Sequence, residues 1–95
     1  MPAYVFVNVN VTDPVRYEEY RKLAGPTVTA YGGRFIVRGG AAEVLEGSFE
    51  PRRIVLLEFP TAGRAKEWWS SPEYAPVMKI RHATATTDMI LIEGV

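Results

Sequence analysis

Valine stands at every odd position from Val5 to Val11, in the run Tyr4-Val5-Phe6-Val7-Asn8-Val9-Asn10-Val11. Successive side chains of a pleated strand point to opposite faces, so this period of two in β-branched residues predicts a strand. The valines require one covered face. Tyr4 and Phe6 ask for cover on the other face too, and Asn8 and Asn10 make its second half polar. Such a strand needs neighbouring strands beside it and an apolar layer over its valines.

The rest of the chain supplies both. Thr12-Asp13-Pro14 opens a helix, with Asp13 or Thr12 as its cap and Pro14 at the first helical position, where a missing N–H costs nothing. Tyr17, Tyr20, Ala24, Val28 and Tyr31 recur at helical spacing and form one buried stripe. Gly25-Pro26 interrupts the stripe and predicts a kink or a restart, and Gly32-Gly33 ends the segment. Phe35-Ile36-Val37 reads as a second strand. Glu43-Val44-Leu45-Glu46, stopped by Gly47, reads as a short strand or hairpin arm. Ile54-Val55-Leu56-Leu57-Glu58-Phe59 is the pattern of a central strand covered on both faces. Pro60-Thr61 leads into a second helix capped by Thr61, with Ala65, Trp68 and Trp69 on one side. Ser71-Pro72-Glu73 signals a further start, followed by Tyr74, Val77, Met78 and Arg81 at helical spacing. Asp88–Glu93 is the last strand.

The order is β-α-β-(β)-β-α-α-β. Two split β-α-β units with right-handed crossovers predict an α+β fold over one domain, residues 1–95. This is a ferredoxin-like βαββαβ antiparallel sheet with helices on one face and with Tyr4–Val11 and Ile54–Phe59 at its centre. Helices can cover only one face of that sheet. Ile54-Val55-Leu56-Leu57 and Met89-Ile90-Leu91-Ile92 are apolar at consecutive positions and ask for cover on both. A second copy packed sheet to sheet supplies it, so a homodimer through the sheet face is expected.

Composition removes several function classes. There is no cysteine, hence no disulfide, thiolate metal site or cysteine nucleophile. Eleven basic residues balance eleven acidic ones, which gives no electrostatic footprint for nucleic acid or an anionic membrane. No apolar run has the length of a membrane span, and the N-terminus lacks the pattern of a signal peptide, so a cytoplasmic location is expected. Gly32-Gly33 and Gly39-Gly40 do not form a phosphate loop, and no serine stands in a nucleophile elbow. Neither a metal nor a cofactor is expected. The expected partners are a second copy and a small molecule, with no nucleic acid and no membrane.

The candidate pocket residues are Asn8, Asn10, Arg38, Trp69 and His82. Arg38 follows an apolar strand and precedes two glycines, where a guanidinium could meet a carboxylate. Its plainer role is an ion pair. Simple antiparallel pairing places Asn8 and Asn10 near Arg38, Arg52 and Arg53, and any polar pocket at that end. Glu58 is either a buried base of raised pKa or the ion-pair partner of Arg34, which the same pairing sets beside it. His82, the single histidine, is either a general base or a residue that complements a helix C-terminus. Trp68 and Trp69 point about 100° apart on a helix. One is expected in the core and the other at a cleft or contact surface.

An ordered set of segments resembles the DUF1330 family of uncharacterised small proteins. It comprises Thr12-Asp13-Pro14 with Tyr17 and Tyr20, Tyr31-Gly32-Gly33-Arg34-Phe35, Arg38-Gly39-Gly40, Glu46-Gly47, Glu58-Phe59-Pro60, Trp69 with Ser71-Pro72-Glu73-Tyr74, and Glu93-Gly94. The resemblance implies a dimeric α/β barrel, a group that includes cofactor-free monooxygenases, isomerases and heme-degrading enzymes. Fold alone does not choose among them. It implies a domain of unknown biochemical function that binds a small molecule or serves an accessory role. The alternative is a small cofactor-free monooxygenase- or isomerase-like enzyme. A heme-degrading version would use Asn8, Trp68 or Trp69, and His82.

Overall fold

The computed structural model describes residues 1–95. Its elements are β1 (Ala3–Val11), α1 (Pro14–Ala30), β2 (Arg34–Arg38), β3 (Arg53–Phe59), α2 (Ala62–Trp69), α3 (Ala75–Thr84) and β4 (Ala85–Glu93). The strands form one antiparallel sheet in the order β2-β3-β1-β4, so β1 and β3 are central as their patterning predicts. No helix is long and apolar enough to cross a membrane.

The odd residues of β1 face the helices. Val5, Val7 and Val9 are buried there with Leu57 and Phe59 of β3, Trp68 of α2 and Val77 of α3. Trp68 is 1% exposed. Its ring packs against Tyr74 and Phe59 at centroid distances of 4.3 and 5.5 Å, and its indole N–H donates to Thr27 Oγ1 at 3.1 Å. The buried aromatic body thus carries a paired polar tip.

Caps fix the helix starts. Asp13 accepts the Arg16 N–H at 3.2 Å, and Thr61 accepts the Arg64 N–H at 3.1 Å. Between α2 and α3, Ser71 Oγ accepts the Tyr74 N–H and donates to the Trp68 carbonyl. After α1, Gly33 lets the chain pass the core closely: a Cβ there would lie 2.6 Å from the Phe59 ring.

Three expectations change. Helix α1 runs through Gly25-Pro26 without a restart. Buried Ala24, Thr27 and Val28 hold it to the sheet on both sides of the proline. Two side chains also donate to carbonyls in this stretch, Thr29 Oγ1 to Gly25 and Arg38 Nη2 to Arg21. The expected Glu43–Glu46 strand does not form. Residues 39–52 make a loop that is tied to the helix-free face of the sheet rather than paired along its edge, and Leu45 is 92% exposed. The last strand also begins earlier than Asp88, at Ala85.

The other sheet face has no helix over it. Tyr4, Phe6 and Asn8 of β1 point there, and the row Leu56–Phe6–Ile90 crosses three strands. Loop 39–52 folds onto one end of this face. The Phe49 ring lies 6.2 Å from that of Phe6. Asn8 donates to the Glu50 carbonyl at 3.1 Å and accepts the Arg52 N–H at 2.8 Å.

Candidate functional site

The five candidate residues fall in three places. Trp69 and His82 come together in a cleft of about 480 Å³ between α2, α3 and the edge strand β4. Trp68 and Trp69 part as their one-residue spacing requires: Trp68 enters the core, and Trp69, 51% exposed, forms a wall of the cleft. Ala65 and Trp68 share the buried side of α2, which Trp69 leaves. Val5, Met89 and Leu91 add apolar wall.

Asn8 and Asn10 lie on the helix-free face, in a shallow polar hollow with Glu50, Arg52 and Asp88. Arg52 is therefore near them, as expected from the pairing. Arg38 and Arg53 are not in this hollow: both line a narrow cavity on the helix side. Arg53 is there because it pairs with Val9, whose side chain faces the helices, and Arg38 because of a bulge in β2. Arg34 opposes Glu58 and Phe35 opposes Leu57, but the register shifts so that Val37 opposes Leu56 and Arg38 opposes Val55. One extra residue turns the following side chains to the other face. Arg38 consequently lies over the Phe35 ring, 4.0 Å from its centroid, and bonds to α1. Of the heme-type set, Trp69 and His82 share a cavity and Asn8 lies in another.

Glu58 is the partner of Arg34, with Nε donating to Oε1 at 2.7 Å. That bond pulls the carboxyl below its ordinary value of 4.5, and the Tyr4 hydroxyl on the paired strand pulls the same way. The reading of Glu58 as a base of raised pKa is corrected. A carboxylate whose folded pKa is depressed stabilises the fold fully above its unfolded pKa. That contribution is lost as pH falls through the folded pKa. Urea unfolding of Glu58→Gln should therefore match the parent most closely in acid below 4.5 and fall behind it towards neutral pH. Equal differences at both pH values would remove Glu58 from the acid response.

Tyrosines fill the space behind the cleft. Tyr20 and Tyr74 share a hydroxyl–hydroxyl bond of 2.6 Å, and Arg81 Nε donates to Tyr74 Oη at 3.3 Å. Burial pushes the Tyr20 phenol far above its ordinary value, and Tyr74 adds to this. Burial likewise raises Tyr17. Tyr31 is raised by its bond to Glu73, which accepts at 2.9 Å. Tyr31 is thus held protonated as a donor to Glu73.

Arg81, Lys66 and Thr87 also line the cleft and were not singled out as site residues from sequence. For Arg81 a signal existed: a charged residue continues the buried stripe of Tyr74, Val77 and Met78. Lys66 and Thr87 carry no comparable signal.

A four-stranded antiparallel sheet with helices on one face and a cleft at their edge defines a ferredoxin-like α+β domain. Comparison with solved structures gives the same class. A protein of unknown function from Rhodopseudomonas palustris aligns with a TM-score of 0.80 at 19% identity, over 99% of this chain and 82% of its own. SnoaB, a cofactor-independent oxygenase from Streptomyces nogalater, aligns with a TM-score of 0.70 at 12% identity, over 99% and 93%. A dimeric protein of unknown function and ferredoxin-like fold from Bacteroides fragilis aligns with a TM-score of 0.57 at 16% identity, over 98% and 96%. No curated protein matches the sequence. The family model of DUF1330, a domain of unknown function, matches residues 2–95, and the chain belongs to that family.

Proposed function

We propose that this protein is a homodimeric binding domain that takes an organic small molecule into the cleft between α2, α3 and β4. The observation that carries this is the cleft itself: its size and its apolar walls with a few polar groups are those of a ligand site. Pairing is supported by the apolar row on the helix-free face and by the dimeric description of the Bacteroides fragilis neighbour. A cysteine-free chain suits a reducing, cytoplasmic setting.

Native mass spectrometry of the untagged protein tests this. The expected result is a dimer carrying a reproducible small-molecule adduct that Trp69→Ala loses. A monomer would remove the pairing. A dimer of bare mass, unchanged by Trp69→Ala, would return the domain to an accessory role.

A second reading is a cofactor-free oxygenase or isomerase. It is favoured by His82, which puts a proton acceptor at the cleft beside Trp69. Under it, the molecule seen as an adduct is converted by the protein, and His82→Ala abolishes the conversion while keeping the adduct.

A further inference from the structure

Arg81 is the unusual residue of this molecule. It is 5% exposed, and no carboxylate lies within ion-pair distance of it. Its Nε is used by Tyr74. A buried guanidinium normally requires a paired anion, because removing its charge from water is costly. Arg81 lines both the cleft and the narrow cavity behind it, so it stands at the inner end of the cleft.

The surroundings offer it no opposite charge. Lys66 lies along the cleft with it, and none of the lining residues is acidic, although the chain as a whole is balanced. Thr87 belongs to the lining as well, and its Oγ1 is buried without a hydrogen-bond partner. Buried polar atoms of this kind mark places where a partner is to be supplied.

We infer that the cleft binds organic carboxylates, with the acid group against the Arg81 guanidinium and the Thr87 hydroxyl and an apolar body against Trp69 and Met89. This rests on the reading of the cleft as a small-molecule site and names the class of molecule it takes. Arg81 supplies the fork of donors that suits a carboxylate, and Tyr74 fixes its orientation. Lys66 adds positive charge along the approach.

Two probes of nearly equal shape, 2-naphthoate and 2-naphthamide, separate the charge from the apolar body. Titrations are followed in proton–nitrogen spectra through the Trp69 indole and the Thr87 and His82 amides, with the buried Trp68 indole as a control. The expected result is that naphthoate binds about tenfold or more tightly than naphthamide, with shifts at those three residues. The preference should shrink with salt. Arg81→Met should abolish it and leave naphthamide binding in place. If Arg81→Met does not fold, Thr87→Val must weaken naphthoate alone. Equal binding of the two probes would overturn the carboxylate assignment and leave the small-molecule cleft intact. A preference that survives Arg81→Met, or that Thr87→Val leaves untouched where Arg81→Met does not fold, would overturn this binding mode. If neither probe shifts the cleft resonances, the small-molecule reading falls with it.

Discussion

Replacing Trp68 with alanine is expected to lower the free energy of unfolding by about 3–5 kcal/mol, whereas Trp69→Ala changes it by less than about 0.5 kcal/mol. The two residues are neighbours in sequence with the same side chain, so composition and local propensity cancel in the comparison. Trp68 stacks between Tyr74 and Phe59 and satisfies Thr27. Its removal leaves a cavity at the meeting point of α1, α2 and β3 and takes away the one donor to Thr27 Oγ1, which keeps only its own bond to the Ala24 carbonyl. Trp69 loses mostly solvent-facing surface. A loss near 4 kcal/mol is a large share of the roughly 5–15 kcal/mol that holds a domain together. Equilibrium urea unfolding of both variants provides the check. Similar losses in the two would mean that the core is not centred on Trp68.

The second large effect belongs to the helix-free face. For the proposed dimer, the double variant Leu56→Lys, Ile90→Lys is expected to raise the dissociation constant about 100-fold or more and yield a folded monomer. Both positions flank Phe6 in one row across β3, β1 and β4. In a single copy Ile90 is exposed and Leu56 only half-buried on a face with no helix over it, and the long lysine stem can carry its ammonium group to water there. In a dimer they set two ammonium groups in the middle of each apolar surface, without counter-ions. Analytical ultracentrifugation gives the mass, and far-UV circular dichroism verifies that the helices persist. The parent's melting temperature should rise with protein concentration, and the variant's should not. An unchanged association constant in the variant would move the pairing surface away from this face.

The sheet was legible in the sequence where side-chain period decides the outcome. The valines of β1 and the apolar run of β3 have one arrangement that buries them, and strand order follows from chain connectivity. The Arg34–Glu58 pair and the parting of Trp68 from Trp69 are likewise consequences of register and helical pitch. The site was less legible, because it depends on faces. Antiparallel pairing counted forward from Arg34–Glu58 would set Arg38 opposite Ile54, beside Asn8. The bulge near Ile36 sets it opposite Val55 instead. No residue type in Arg34–Arg38 announces that bulge. The Glu43–Glu46 segment has strand-like residues, but its loop is held across the helix-free face through Asn8 and Phe6 and does not pair along an edge. For Arg81 the buried stripe was legible, but its lack of an acidic partner is a fact about three-dimensional neighbours.

The tether of loop 39–52 has a consequence for how this protein comes apart. Asn8 holds its end by two hydrogen bonds, and Phe49 rests on a single ring. None of the buried core residues lies in it. Peeling the loop back therefore leaves β1, β3 and the helices packed, so opening here is decoupled from global unfolding. Its amides exchange with solvent early, and a protease reaches this segment while the rest of the chain is still native. In a pair joined through the same face, the second copy would press on Phe49. Protection of this one segment is then a local gauge of assembly, readable in a molecule whose core reports nothing of it.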